Sequence, residues 1–223
     1  MKCCPARTMT LYQEIRAVGK GLHSKALEAT RRLDYNPLRI AKRMTLPLVG
    51  RTLFFDGEVA QHAYFDFWFH EYRLNGKSLV ESVDPVAAGL EPLETEVLEA
   101  HRQARTSFFA AEAVVSGEHQ LRLRDLLEPD RPEAVLTDIG LSDSVRRMGL
   151  QLALFCRLVV VHGITMTSGF SFGFEPERVP GILQAYRQRI KKVPPVDASE
   201  ARFIFFFQKH RQLGVEQEFR DVI

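Results

Sequence analysis

A chain of 223 residues, 45% hydrophobic and 26% charged, is long enough to bury a core and too apolar to stay disordered. No run reaches the roughly 18 apolar residues that a bilayer span needs, so no membrane association is expected. The start, MKCCPARTMTLYQEIRAVGKG, carries no apolar segment ahead of a small-residue cleavage site, so no signal peptide is expected and the location is read as cytoplasmic. The three cysteines agree: Cys3 and Cys4 are neighbours, which rarely pair, Cys156 sits in an apolar run, and no Cys/His spacing resembles a zinc site.

The net charge of +2 conceals blocks of opposite sign. Residues 1–51 carry 11 Lys/Arg against 3 Asp/Glu, residues 52–107 carry 4 against 10, and residues 108–223 are balanced at 15 each. A basic block beside an acidic one fits either a nucleic-acid arm or internal attraction between the two, and internal docking comes first.

Leu11, Ile15, Val18, Leu22, Ala26, Ala29 and Leu33 recur at steps of three and four, predicting a helix from about Thr10 to Leu33, with a possible break at Gly19 and Gly21. Asn36 followed by Pro37 is a start signal for a short basic helix, after which LPLVGRTLFF is irregular or briefly extended. Asp56 is the expected cap of a third helix, GEVAQHAYFDFWFHEYRL, ending near Asn75-Gly76. Its aromatic residues on nearly every side imply burial on more than one face. A further helix is expected from about Pro92 to Arg105.

Near Ser107 the period changes from helical to alternating. SFFAAEAVV and HQLRLRDLL flank the short SGE connection, PEAVLTDIG returns as a third strand, LSDSVRRMG makes a turn or two of helix, and LQLALFCRLVVVHG with ITMTSGFSFGF forms a second hairpin around His162-Gly163. Helical signals resume in EPERVPGILQAYRQRIKKV and DASEARFIFFFQKHRQLG. The expected class is therefore α+β. Residues 1–106 form a helical region, 107–175 an antiparallel β-module whose five strands close as a small barrel or curled sheet, and 176–223 helices that pack on the rest.

Several segments carry a resemblance: WFHEYRLNGKSLVES, LRLRDLLEP with Asp125, Leu126 and Leu127, IGLSDSVRRMG with Leu141, Ser142 and Gly149, FCRLVVVHG with Arg157, and the pair Ser168-Gly169. Over Tyr64 to Glu175 the chain resembles an uncharacterised group of bacterial proteins in which a helical part precedes a small β-module, some members adding a SEC-C-type zinc-binding tail. The resemblance implies this architecture and no activity, and the Cys-rich tail is missing here.

Three kinds of chemistry compete. Glu58, His62, Asp66 and His70 follow one another at four-residue steps on one helix, a spacing that suits zinc, iron or manganese if Glu94 and His101 of the next helix converge on them. The plainer reading is the polar stripe of an amphipathic helix. Arg122, Arg124, Arg146, Arg147 and Arg157 are candidates for a nucleic-acid or partner surface, with Phe170, Phe172 and Phe174 as stacking platforms if exposed and barrel core if buried. Phe203, Phe206 and Phe207 lie in a run too apolar for one face, making them candidates for self-association. No nucleophile elbow, phosphate loop or dinucleotide fingerprint is present, and no cofactor is implied. The sequence reads first as a non-catalytic binding or assembly module with a protein partner or a second copy, then as a nucleic-acid binder using its basic N-terminal helices, then as a metal-dependent enzyme.

Overall fold

The computed structural model describes residues 5–33, 35–113, 119–148 and 152–215. The first helix, α1 (Pro5–Ala29), runs unbroken through Gly19 and Gly21. In α2 (Pro37–Arg43), the Asn36 side chain accepts hydrogen bonds from the Leu38 and Arg39 amides at 3.0 and 3.1 Å. Replacing that cap, Asn36→Ala, is expected to remove about 1 kcal/mol and lower the melting temperature by about 2–4 °C, read by thermal denaturation.

Two short strands, β1 (Leu48–Val49) and β2 (Thr52–Leu53), pair across Gly50, whose φ of +62° favours glycine. Helix α3 (Glu58–His70) starts on Gly57 with no side-chain cap, so Asp56 does not play the expected role. Its end falls at His70, before Asn75-Gly76. That dipeptide, at φ +54° and +82°, instead makes a tight two-residue turn bridged by Leu74 and Lys77. A one-turn helix α4 (Leu79–Ser82), held by a Ser78/Glu81 capping box, and α5 (Pro92–Arg102) complete the N-terminal helices.

The strands β3 (Arg105–Ala113), β4 (Gln120–Asp125), β5 (Ala134–Thr137), β6 (Leu152–Val161) and β7 (Ile164–Phe174) close as a barrel in the order β3-β4-β5-β7-β6. Four pairings are antiparallel, but β5 meets β7 in parallel at Leu136 and Thr165. The sheet is thus mixed where an antiparallel one was expected. The reason lies in α6 (Ile139–Met148), which carries the chain away after β5 and returns it as β6, leaving β7 to close the ring. The Ser116-Gly117-Glu118 connection and Gly149 lie outside the described residues.

Side-chain alternation sorts the barrel wall into two faces. Phe109, Ala111, Leu121, Leu123, Leu136, Leu154 and Cys156 fill the interior, with Leu141 and Val145 of α6 packed against them. Burial pushes the Cys156 thiol up, as befits a small core residue. The outer face of β6 and β7 is also covered, which explains why Leu152–Val161 is apolar almost throughout. Two clusters do this. One joins Phe108, Phe155, Phe170, Phe172 and Phe174 to α2, α3, α7 (Val179–Ile190) and α8 (Ala198–Leu213). The other joins Val159, Val161, Ile164 and Met166 to α1, α4 and α5. Phe170, Phe172 and Phe174 are therefore buried under helices on the barrel's outside rather than within it.

The helix reading of the Phe run holds, but its rings turn inward. Phe203, Phe206 and Phe207 are at most 1% exposed, and Phe206 stacks on Phe155 with ring centroids 4.2 Å apart. These three rings are packed within their own chain, not offered to a second copy. No helix among the described residues is long and apolar enough to cross a membrane.

Candidate functional site

Arg157 stands out by position: it is the one charged residue in LALFCRLVVV, on a strand covered on both sides. Its side chain leaves the outer face of β6 beneath α3 and is 6% exposed. A guanidinium removed from water requires matched acceptors. Nε donates to Asp66 Oδ1 at 3.0 Å, and a terminal nitrogen reaches Glu71 Oε1 at 2.6 Å. Asp66 sits in α3 and Glu71 immediately follows it, so the arginine clamps the end of that helix to the barrel.

A bulge supplies the next partner. The β6–β7 register shifts between Cys156 and Leu158, and Gly169 takes a φ of +119°. The extra residues on β7 turn Ser168 toward α3, where its hydroxyl donates to Asp66 Oδ2. Ser168-Gly169 is thus a structural device for satisfying the second carboxylate oxygen.

Three imidazoles continue this seam from three helices. His70 Nε2 lies 3.2 Å from His101 Nδ1, with the rings stacked 5.2 Å apart, so one ring carries the shared proton and the other accepts it. His70 Nε2 is 4.0 Å from Asp66 Oδ2, beyond a hydrogen bond. His23 of α1 meets Phe69 edge-on at 4.5 Å and His101 at 6.1 Å, and its Nε2 has no hydrogen-bond partner among the described residues.

Burial governs the protonation of all three. It lowers His101 to about 3, with His23 and Arg157 adding to the effect, and lowers His23 to about 4. His70 falls well below its usual range through burial and then the Arg157 charge. Burial raises Asp66 despite the opposing pull of Arg157 and Ser168, while Asp66 and Glu71 hold Arg157 above its ordinary value against desolvation. At neutral pH the seam is one arginine bracketed by two carboxyl groups, with a neutral histidine relay beside it.

The four-residue stripe on α3 does not act as a unit. A step of four residues turns a helix through about 400°, so each member drifts about 40° from the last. Asp66 and His70 enter the seam, whereas Glu58 is exposed and His62 half-buried at the other end. His101 joins His70 as the metal reading requires, but Glu94 pairs with Lys25 at 2.6 Å. Among the described residues, no group of three or more His, Cys, Asp or Glu side chains is placed to hold a metal ion.

Nor do the arginines share one surface. Arg122 and Arg124 lie on the solvent face of β4, Arg122 being 3.6 Å from Glu133. Arg146 is exposed on α6, 3.8 Å from Asp143, and the Arg147 side chain lies outside the described ones. Arg157 is buried in the seam.

An ion pair joins the two opposite charge blocks, and other basic residues of the first block pair with the balanced C-terminal segment. Lys25 of the basic block pairs with Glu94 of the acidic one. Arg16 donates to Asp138 at 2.8 Å and to Thr167 O at 2.6 Å. Asp138 does double duty, its other oxygen capping α6 through the Leu141 amide at 3.0 Å. Glu71 and Ser168 fall within the segments that carry the resemblance but take no role in the sequence reading, which also misses this Arg16–Asp138–Thr167 lock. The readable signal was a lone arginine in a doubly covered strand, which must have acid partners.

Helices α7 and α8 leave an open groove of about 450 Å³ with Arg189, Lys192 and Lys209 on its walls. It is lined by cations and amides and holds no nucleophile or acid–base pair.

Among the described residues, a closed mixed barrel with helices packed over its outer face and an ion-paired seam between the layers defines an α+β protein. The chain belongs to a family of unknown function (DUF7986), whose profile matches residues 6–220. Neither a curated protein nor a solved structure matches it. The family match reaches well beyond the Tyr64–Glu175 segment on which the sequence resemblance rests.

Proposed function

We propose that the chain is a non-catalytic binding module of the cytoplasm that recognises an anionic macromolecule on its outer surface. The observation that carries this reading is the edge of α7, where Arg187, Arg189, Lys191 and Lys192 fall within six residues, all exposed. None of the four has a carboxylate partner among the described residues, in contrast to Arg16, Lys25 and Arg43, which pair with Asp138, Glu94 and Glu200. A local cationic field of this kind steers acidic partners even when net charge is near zero. The seam supports the same reading from the other side, because its acids, arginine and imidazoles engage one another where a substrate has no access.

The nucleic-acid alternative placed its contacts on the basic N-terminal helices. The ion pairs of Arg16, Lys25 and Arg43 take up part of that charge, and Arg39, Lys42 and Arg51 stay exposed but scattered, so the α7 edge, with four such cations within six residues, has the better claim. Chromatography of the purified chain on immobilised heparin at pH 7 tests the reading. Retention that weakens steadily with added salt is expected, whereas elution in the void at low ionic strength would rule the anionic partner out.

A further inference from the structure

We infer that the α7–α8 groove is the seat of an acidic amphipathic helix belonging to a protein partner, an assignment that rests on the binding-module reading above and narrows it. The periodicity of the walls points to a helix. From α7 the groove takes Ala185, Gln188, Arg189 and Lys192. From α8 it takes Phe205, Gln208, Lys209 and Gln212. Both sets follow the i, i+3, i+4, i+7 pattern, the ridge that one helix presents to another.

The two helices run antiparallel. Gly181 and Ile182, at the start of α7, adjoin Lys209 and Leu213, at the end of α8, in a second groove that continues the first. Two antiparallel ridges with an open channel between them accept a third helix as the missing member of a bundle. The eight residues spanned on each wall, 185–192 and 205–212, give a contact roughly 10 Å long, two helical turns of the occupant.

The chemistry of the lining selects the occupant's character. Ala185 and Phe205 supply a small apolar floor. Arg189 and Lys192 stand on one wall and Lys209 on the other, 6.0 Å above the Phe205 ring. A helix with small apolar residues on its contact stripe and Glu or Asp on both flanks meets a cation on either side; Lys209 already donates to Gln212 Oε1 at 3.3 Å, which leaves the Gln188, Gln208 and Gln212 amide N–H groups to donate. A single-stranded nucleic acid is less well served: Phe205, the one aromatic ring of the lining, is 6% exposed, so bases have no platform to stack on.

Fluorescence anisotropy on the full chain tests this. The probe is a labelled peptide of about 20 residues, long enough to be helical, with Leu and Ala on one helical stripe and Glu on the flanks. Its scrambled isomer and an unlabelled thymidine oligonucleotide serve as competitors. The patterned peptide is expected to bind about tenfold more tightly than the scramble, because only a continuous stripe fits between two ridges. Arg189→Glu with Lys209→Glu should weaken it about tenfold or more at low salt, while Arg122→Glu with Arg124→Glu on β4 should change it less than about twofold. Equal affinity for the scramble, stronger competition by the oligonucleotide, or indifference to the groove reversal each overturns the helix seat. If the peptide results go against the groove while heparin still retains the wild type, the helix seat falls and the anionic-partner reading survives. If heparin does not retain the wild type and the patterned peptide does not bind it, both fail.

Discussion

Arg157→Met is expected to destabilise the protein by about 3–5 kcal/mol, because it leaves Asp66 and Glu71 buried with no cation between them. For a chain of this size that corresponds to a fall in melting temperature of roughly 10 °C. Methionine keeps much of the arginine's length and fills the same space, so the loss reports the charge and hydrogen bonds rather than a cavity. Arg157→Lys should recover only part of it. An ammonium keeps the charge but lacks the guanidinium fork with which Arg157 meets Asp66 at 3.0 Å and Glu71 at 2.6 Å from two nitrogens. Urea denaturation distinguishes the outcomes: the midpoint should drop with an unchanged slope, as for a loss of stability without a change in the surface exposed. A midpoint within the error of the wild type would mean that the arginine is solvated.

The same seam makes the fold acid-sensitive. His70, His101 and His23 are held neutral in the folded chain, the last two at about 3 and about 4, against an ordinary 6.5. Between those values the unfolded chain binds protons that the folded chain refuses, so stability is complete above about 6.5 and declines as the pH falls toward 4. Asp66 contributes the opposite sign. Its raised value lets the folded state hold a proton that the unfolded state has released, so above the ordinary carboxyl range it favours unfolding as the pH rises. Three histidines against one carboxyl group leave a net loss on acidification. Denaturant midpoints measured from pH 7.5 down to 4.5 should fall continuously, and His101→Phe should flatten that fall, since the ring it introduces carries no proton and keeps the stack against His70. A stability that is constant or rising toward pH 4.5 would contradict neutral burial of these rings.

Much of the architecture was legible because it follows local rules. The switch of hydrophobic period near Ser107, the Asn36-Pro37 start and the His162-Gly163 turn, with φ of +50° and +76°, all appear where their residue types place them. The misread features depend on distant partners. Asn75-Gly76 serves a helix end or a tight turn equally well, and only the Leu74–Lys77 bridge decides. The parallel β5–β7 contact is set by how α6 returns the chain. The Phe run could face a second copy or the interior until β6 and β7 are known to need cover on their outer side.

The site was legible in fragments. Asp66, His70, His101 and Arg157 were all singled out, but in two separate readings, a metal stripe and a basic surface. The structure joins them because α3 lies across β6, a contact between residues 91 positions apart that no spacing rule encodes. A charged residue in a strand otherwise apolar on both faces is the pattern that announces such a pair. Ser168 required the bulge at Gly169 to bring it into range.

The role proposed for the seam is to hold the layers together without taking part in recognition. Replacing all three charged members at once, Asp66→Leu, Glu71→Met and Arg157→Met, tests it most directly. Apolar substitution of a whole buried ion-pair group is often neutral or stabilising even where removal of one partner is not. The triple variant is predicted to regain most of the stability lost by Arg157→Met and to elute from heparin at the wild-type salt concentration. A triple variant that folds with a cooperative transition yet no longer binds heparin would show that the seam serves recognition after all.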